Sequence, residues 1–146
     1  MATETHLQSE DYQRLAAFRF SLRRFIAKTE ANARSSGLTP QQHQALLSIK
    51  GGYPGRDSIA ISELADHLII KNNSAVELVN RLVKTGLVTR ETSSEDRRTI
   101  CVRITRKGDE VLADLSRASL DELATSANAM RQLVAELERP RSHTRA

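Results

Sequence analysis

Ile61-Ser62-Glu63-Leu64-Ala65-Asp66-His67-Leu68, Ser74-Ala75-Val76-Glu77-Leu78-Val79-Asn80-Arg81-Leu82, Gly86-Leu87-Val88 and Asp96-Arg97-Arg98 follow one another within the stretch from Ile61 to Gly108. Apolar residues recur at helical spacing in the first two segments, and the pattern turns to strand after Gly86. The reading is a short helix, a turn, a second helix ending at Lys84, and a charged hairpin with Asp96-Arg97-Arg98 at its tip. That succession outlines a winged helix-turn-helix.

Ser62 is the expected cap of the first of these helices. The second begins between Lys71 and Asn73, with the asparagines available as caps. Gly86 suits the left-handed position that ends a helix. Leu87 to Glu91 and Thr99 to Thr105 have strand character. In the latter, Ile100, Val102 and Ile104 share an expected buried face, and Cys101 and Arg103 the wet one. Ile59-Ala60-Ile61 suggests a further short strand.

Outward from this module, Leu15, Phe18, Leu22, Phe25 and Ile26 recur at three- and four-residue steps and predict an amphipathic helix from Ser9 to about Ser35. Thr39 and Pro40 are the expected N-cap and first residue of the next helix, and Gly51 to Gly55 breaks it. After Gly108, Leu120, Leu123, Ala127, Met130, Val134 and Leu137 form a seam of coiled-coil type. The fold class is therefore mainly α with a small β-hairpin wing. It is read as a single domain over 1–146, with a lobe at 38–107, a helical dimerisation region at 9–36 and 108–138, and a basic tail at 139–146 expected to be disordered.

Residues Leu68 to Lys107 hold nine Lys/Arg against four Asp/Glu, a local excess of +5 in a chain of net charge +4. Such a concentration is an electrostatic footprint for phosphate, although a charge run also serves as a solvated face. Plotted at 100° per residue, Lys71 to Thr85 places Ala75, Val76, Val79, Leu82 and Val83 on one side. Asn73, Ser74, Glu77, Arg81 and Lys84 mark the other, with chemistry able to meet base edges and phosphates, and Asn72 at the start of the helix is counted with them as a DNA-contact candidate. Glu77 and Arg81 are equally spaced for a surface ion pair. At the hairpin tip an arginine such as Arg97 suits a narrow minor groove. Asp96 is expected to fix one neighbouring guanidinium, and Arg103, Arg106 and Lys107 to follow the phosphate backbone.

Other classes find little support. The four histidines lie far apart, and the single cysteine, Cys101, excludes an intrachain disulfide and a cysteine-based metal cluster. No nucleophile–base pair, phosphate-cradling glycine loop or metal spacing is visible, so no catalytic residue, metal or cofactor is expected. A polar start and the lack of a long apolar run predict neither a signal peptide nor a membrane span, hence a cytoplasmic protein with no membrane partner.

These residues, together with Leu38-Thr39-Pro40-Gln41-Gln42 and Ile104-Thr105-Arg106-Lys107-Gly108, resemble the MarR family of bacterial winged-helix regulators. The resemblance implies a homodimer whose recognition helices, Asn72 to Lys84 here, enter successive major grooves of a pseudo-palindromic operator about 34 Å apart. Wing arginines corresponding to Arg97 or Arg98 would reach the minor groove. It implies a double-stranded DNA-binding transcriptional regulator, a repressor released by a small aromatic or phenolic effector, with Phe18, Phe25, His43 and Tyr53 as pocket candidates by position. Each of the four also reads as ordinary core or loop packing, and His43 as a helix surface residue. Two departures stand out: Lys71-Asn72 occupies a place where Ser or Thr is common, and Ile104 replaces a usual Leu. The alternatives are a winged-helix protein-interaction module and a redox-responsive regulator using Cys101, though the cysteine of peroxide-sensing members lies in the first helix, where this chain has none.

Overall fold

Eight elements order residues 6–140, which the computed structural model describes. They are α1 (Ser9–Ser35), α2 (Pro40–Gly51), β1 (Ser58–Ala60), α3 (Ile61–Leu68), α4 (Asn72–Lys84), β2 (Val88–Thr92), β3 (Ile100–Ile104) and α5 (Arg106–Glu138). Residues 29–118 form one compact unit, and among the described residues 6–28 and 119–140 form another. The expected tail falls mostly at 141–146, outside the described residues.

Local chemistry sets the start of α2. Thr39 Oγ1 accepts the Gln42 N–H at 3.1 Å, and the Gln42 side chain accepts the Thr39 N–H at 3.0 Å, a reciprocal capping box ahead of Pro40. In the 29–118 unit α2, α3 and α4 pack with a sheet of order β1-β3-β2. Both pairings are antiparallel, and Val102 at the centre of β3 lies opposite Ile59 and Arg90. Leu46, Ile49, Ile59, Leu64, Val79, Leu82, Val88 and Val102 are the largest wholly buried side chains, giving the aliphatic core that a chain so poor in aromatics requires.

Two expected caps are not used. Ala60 is extended by its pairing in β1, so α3 begins directly at Ile61, and the Glu63 carboxylate takes the Ala60 N–H at 2.9 Å. Ser62 lies inside the helix and is exposed. Likewise Lys71 is the extended residue before α4 and its carbonyl accepts the Ala75 N–H, which makes Asn72 and Asn73 the first helical residues rather than caps.

The wing is also less buried than its alternation implies. Val102 is covered, but Ile104 is half-buried and Ile100 is 41% exposed. The cause is the length of β1, whose three residues pair only with Cys101 to Arg103 and leave the Ile100 end of β3 without that neighbour. Helix α5 starts at Arg106, so Gly108 lies within its first turn rather than ahead of it. There the chain approaches so closely that a Cβ on Gly108 would stand 2.2 Å from the Leu87 carbonyl oxygen and 2.8 Å from Ile104 Cγ1.

The turn between α3 and α4 carries a strained residue. Ile69 has φ +57°, the left-handed conformation, and is 91% exposed. Its N–H and that of Ile70 close α3 onto Asp66 and Ala65 carbonyls, so the geometry is needed but the β-branched side chain is not repaid by burial. Asparagine tolerates this conformation far better. Ile69→Asn is expected to raise stability by about 1 kcal/mol, or roughly 3 °C in melting temperature. Thermal unfolding of the two proteins checks this, and an unchanged or lower midpoint counts against it.

In the other unit, the α1 and α5 segments run antiparallel: Lys28 Nζ meets Glu122 Oε1 at 2.9 Å, while Glu10 and Arg14 line one groove with Glu136 and Arg139. None of its described residues is fully buried within the single chain. Phe20 and Leu120 are 65% and 64% exposed, and Tyr12, Leu15, Ile26 and Val134 are exposed with them. Phe18, Leu22 and Phe25 are half-buried.

Candidate nucleic-acid interface

Helix α4 is sharply two-sided. Ala75, Leu78, Val79 and Leu82 are buried, and Asn72, Asn73, Ser74, Glu77, Arg81 and Lys84 are all exposed. Leu78 belongs to the core although the helical plot omitted it. Val76 is half-buried and Val83 is 38% exposed, because both lie at the flanks of the apolar stripe. Among the described residues no ion pair joins Glu77 to Arg81, unlike Arg106–Glu110 at 3.3 Å and Arg34–Glu30 at 3.7 Å. Both side chains therefore remain available on the polar side.

Asn80, at the edge of that side, has a role the sequence did not suggest. Its Oδ1 accepts a short hydrogen bond from Arg90 Nη1, tying α4 to β2. The partners are ten residues apart, and no local pattern predicts that strand and helix bring them together.

At the wing tip Asp96 does something other than expected. Its Oδ1 accepts the Arg98 N–H at 3.0 Å and its Oδ2 accepts the Thr99 hydroxyl at 3.1 Å. The short carboxylate reaches the backbone two residues on more readily than a guanidinium, as in an Asx turn. Further bonds from Ser93 N–H to the Thr99 carbonyl and from Thr99 N–H to the Asp96 carbonyl complete the turn. Arg97 and Arg98 are exposed, and none of the ion pairs among the described residues involves either.

Arg103, by contrast, is not free to follow a phosphate chain. Its guanidinium lies 3.1 Å from Glu91 Oε1 across the β2–β3 pair and 3.5 Å from Asp57 Oδ2. The Glu91 hydrogen bond is the main cause of its raised pKa. Arg106 is paired with Glu110, and Lys107 Nζ donates to the Thr85 carbonyl at 2.9 Å. The expected basic strand track is thus replaced by internal partners. Cys101, expected on the wet face, is half-buried between Ala60 and Glu91 in the sheet register.

The four candidate effector residues divide between the units. Phe18 and Phe25 belong to the terminal-helix unit, where Phe25 lines a groove of about 450 Å³ with Phe20, Arg24, Lys28 and Glu122. His43 and Tyr53 belong to the other. His43 is buried rather than on the surface, since it lies on the same side of α2 as Leu46, and burial lowers its pKa and favours the neutral ring. Tyr53 is held by its hydroxyl, which donates to the Glu63 carbonyl at 3.2 Å, and by Arg56 and His67 beside its ring, at 5.2 and 6.0 Å. Arg56 also grips the Glu63 carboxylate through two hydrogen bonds of 2.6 and 2.8 Å, which is the largest reason that this carboxyl titrates below the ordinary range. Arg56 and Glu63 stand on opposite sides of β1, so their pairing was not visible in the sequence.

Among the described residues there is no cluster of three potential metal ligands and no helix long and apolar enough to cross a membrane. A helix pair with a polar second helix, buttressed by a three-stranded wing whose tip presents two arginines, defines a winged helix-turn-helix protein. Residues 36–99 match the MarR family model, and the chain belongs to the MarR family.

Two curated relatives are similar. A Thauera aromatica protein named as a transcriptional regulatory protein for the hcr operon is 34% identical over 104 residues, covering 71% of this chain and 56% of that protein. The Bacillus subtilis HTH-type transcriptional repressor MdtR is 33% identical over 81 residues, covering 53% of this chain and 50% of that one. The chain thus spans about half the length of the curated relatives it matches. Among solved structures, a substituted form of S. aureus MepR bound to an oligodeoxyribonucleotide shares the fold, with a TM-score of 0.63 at 17% identity over 86% of this chain and 92% of that one.

Proposed function

We propose that this protein is a homodimeric, sequence-specific transcriptional regulator that represses by occupying a pseudo-palindromic DNA site, with α4 in the major groove and the wing tip in the minor groove. The observation that carries the reading is the state of the polar groups. Among the described residues, Asn72, Asn73, Ser74 and Glu77 are exposed and spent on no cap or ion pair, and Arg97 and Arg98 stand outside every ion pair on an ordered tip. Groups of these types form hydrogen bonds with base edges and phosphates. The repressor name of MdtR and the oligonucleotide bound to MepR support the same direction. The unburied apolar residues of the terminal helices support a second copy of the chain as their cover, which would place two recognition helices on one DNA molecule. Release by a small aromatic acid is part of this reading, with the groove beside Phe25 as its candidate site.

The test is binding to duplex DNA from upstream of the protein's own coding sequence across a salt series. The expected result is specific binding whose log affinity falls linearly with log salt, each neutralised phosphate adding about −0.9 to the slope. Binding that ignores salt, or that never exceeds binding to scrambled duplex in this and selected sequences, rejects the reading.

A further inference from the structure

The three successive carbonyls that follow α4, beginning with its C-cap Thr85, are all bonded by one short segment at the start of α5. The Thr85 carbonyl accepts Lys107 Nζ at 2.9 Å, the Gly86 carbonyl accepts the Thr105 hydroxyl at 2.6 Å, and the Leu87 carbonyl accepts the Thr105 N–H at 3.0 Å. Gly108 permits the approach, because any side chain there would collide with the Leu87 oxygen. The segment is itself braced, since Thr105 Oγ1 also accepts the Gly108 N–H at 3.1 Å. Carbonyls at a helix C-terminus carry partial negative charge, so an ammonium held there is favoured by the helix dipole as well as by its hydrogen bond.

We propose that Lys107, together with Thr105, is a positioning residue that sets the angle at which α4 meets the major groove, and is not a phosphate ligand. The inference rests on the DNA-binding function proposed above. A helix of 13 residues is about 20 Å long, so a rotation of about 10° at its C-terminal end moves its N-terminal end by about 3.5 Å. That displacement exceeds a hydrogen-bond length. Short side chains such as Asn73 and Ser74 lose their base partners, while Arg97 and Arg98, on long flexible stems, keep their phosphates. Loosening the grip should therefore cost discrimination and spare non-specific attraction.

The experiment compares wild type, Lys107→Met, Lys107→Arg and Arg97→Ala across a salt series. The probes are a duplex selected by the wild-type protein from a random pool and a scrambled duplex of equal length. Lys107→Met is expected to lower affinity for the selected duplex about tenfold, to change scrambled-duplex binding less than twofold, and to leave the salt slope within about half of one phosphate contact. Arg97→Ala should reduce the slope by about 0.9 instead, and Lys107→Arg, which keeps a donor, should restore discrimination. Amide hydrogen exchange in the free protein supplies a reading independent of DNA: exchange at Thr85 to Leu87 should quicken in Lys107→Met at unchanged overall fold. Equal loss on both duplexes with a slope reduced by about 0.9 makes Lys107 a phosphate ligand and overturns the proposal. Unchanged discrimination and unchanged exchange overturn it too. A wild-type protein that selects no duplex at all rejects the DNA-binding function, and this inference with it.

Discussion

Arg97→Ala with Arg98→Ala is expected to weaken binding to a specific duplex roughly a hundredfold, at about tenfold for each charge-assisted hydrogen bond to phosphate removed, and to lower the salt slope by about 1.8. The melting temperature should be nearly unchanged. The separation of the two effects follows from the tip geometry. Neither guanidinium belongs to an ion pair among the described residues, while the bonds that shape the turn come from Asp96, Ser93 and Thr99 and from the Arg98 backbone, which alanine retains. Fluorescence anisotropy over a salt series, with thermal unfolding alongside, measures both. Binding that survives the double substitution with its slope intact would mean that the wing does not touch DNA.

Gly108→Ala should produce a large loss of stability. The added carbon would lie 2.2 Å from a backbone oxygen of Leu87 and 2.8 Å from Ile104 Cγ1. The isoleucine can yield by a rotamer change; the carbonyl cannot, because Leu87 is buried and its oxygen already accepts the Thr105 N–H. Overpacking of this kind costs about 3 kcal/mol, which outweighs the roughly 1 kcal/mol that alanine gains over glycine as a helix former. The net loss of about 2 kcal/mol corresponds to a fall of around 7 °C in the midpoint of thermal unfolding. A midpoint equal to or above that of the wild type would show that α5 does not approach Leu87 so closely.

How much of this was legible in the sequence depended on the distance over which each feature is determined. The Thr39 cap ahead of Pro40 and the stop at Gly86, with φ +75°, were read correctly because each is set by a few adjacent residues. The polar side of α4 was legible from its period. The unused caps at Ser62, Asn72 and Asn73 were misread because a sheet pairing at Ala60 and an extended Lys71 fix where the helices begin, and neither is a local preference of the capping residues. For the same reason charge alone assigned Arg103 and Lys107 to phosphate. Their partners, Glu91, Asp57 and the Thr85 carbonyl, lie 12 to 46 residues away and meet them only in the folded chain. Tyr53 and His43 were chosen by position, which carried no information on the hydrogen bond of the one or the burial of the other.

The turn built around Asp96 has a consequence for the thermodynamics of association. Fixing the backbone of a loop costs about 1–2 kcal/mol per residue, and a disordered tip would have to lose that freedom at the moment of contact. Here folding has already removed it, since the carboxylate and the Ser93–Thr99 bond hold the tip in the free protein. What remains to be ordered is the rotamers of two arginine side chains. Under the proposed function, sequence-neutral attraction would draw on nearly the whole of their charge, and the protein would sample many sites along a duplex without refolding its wing at each one.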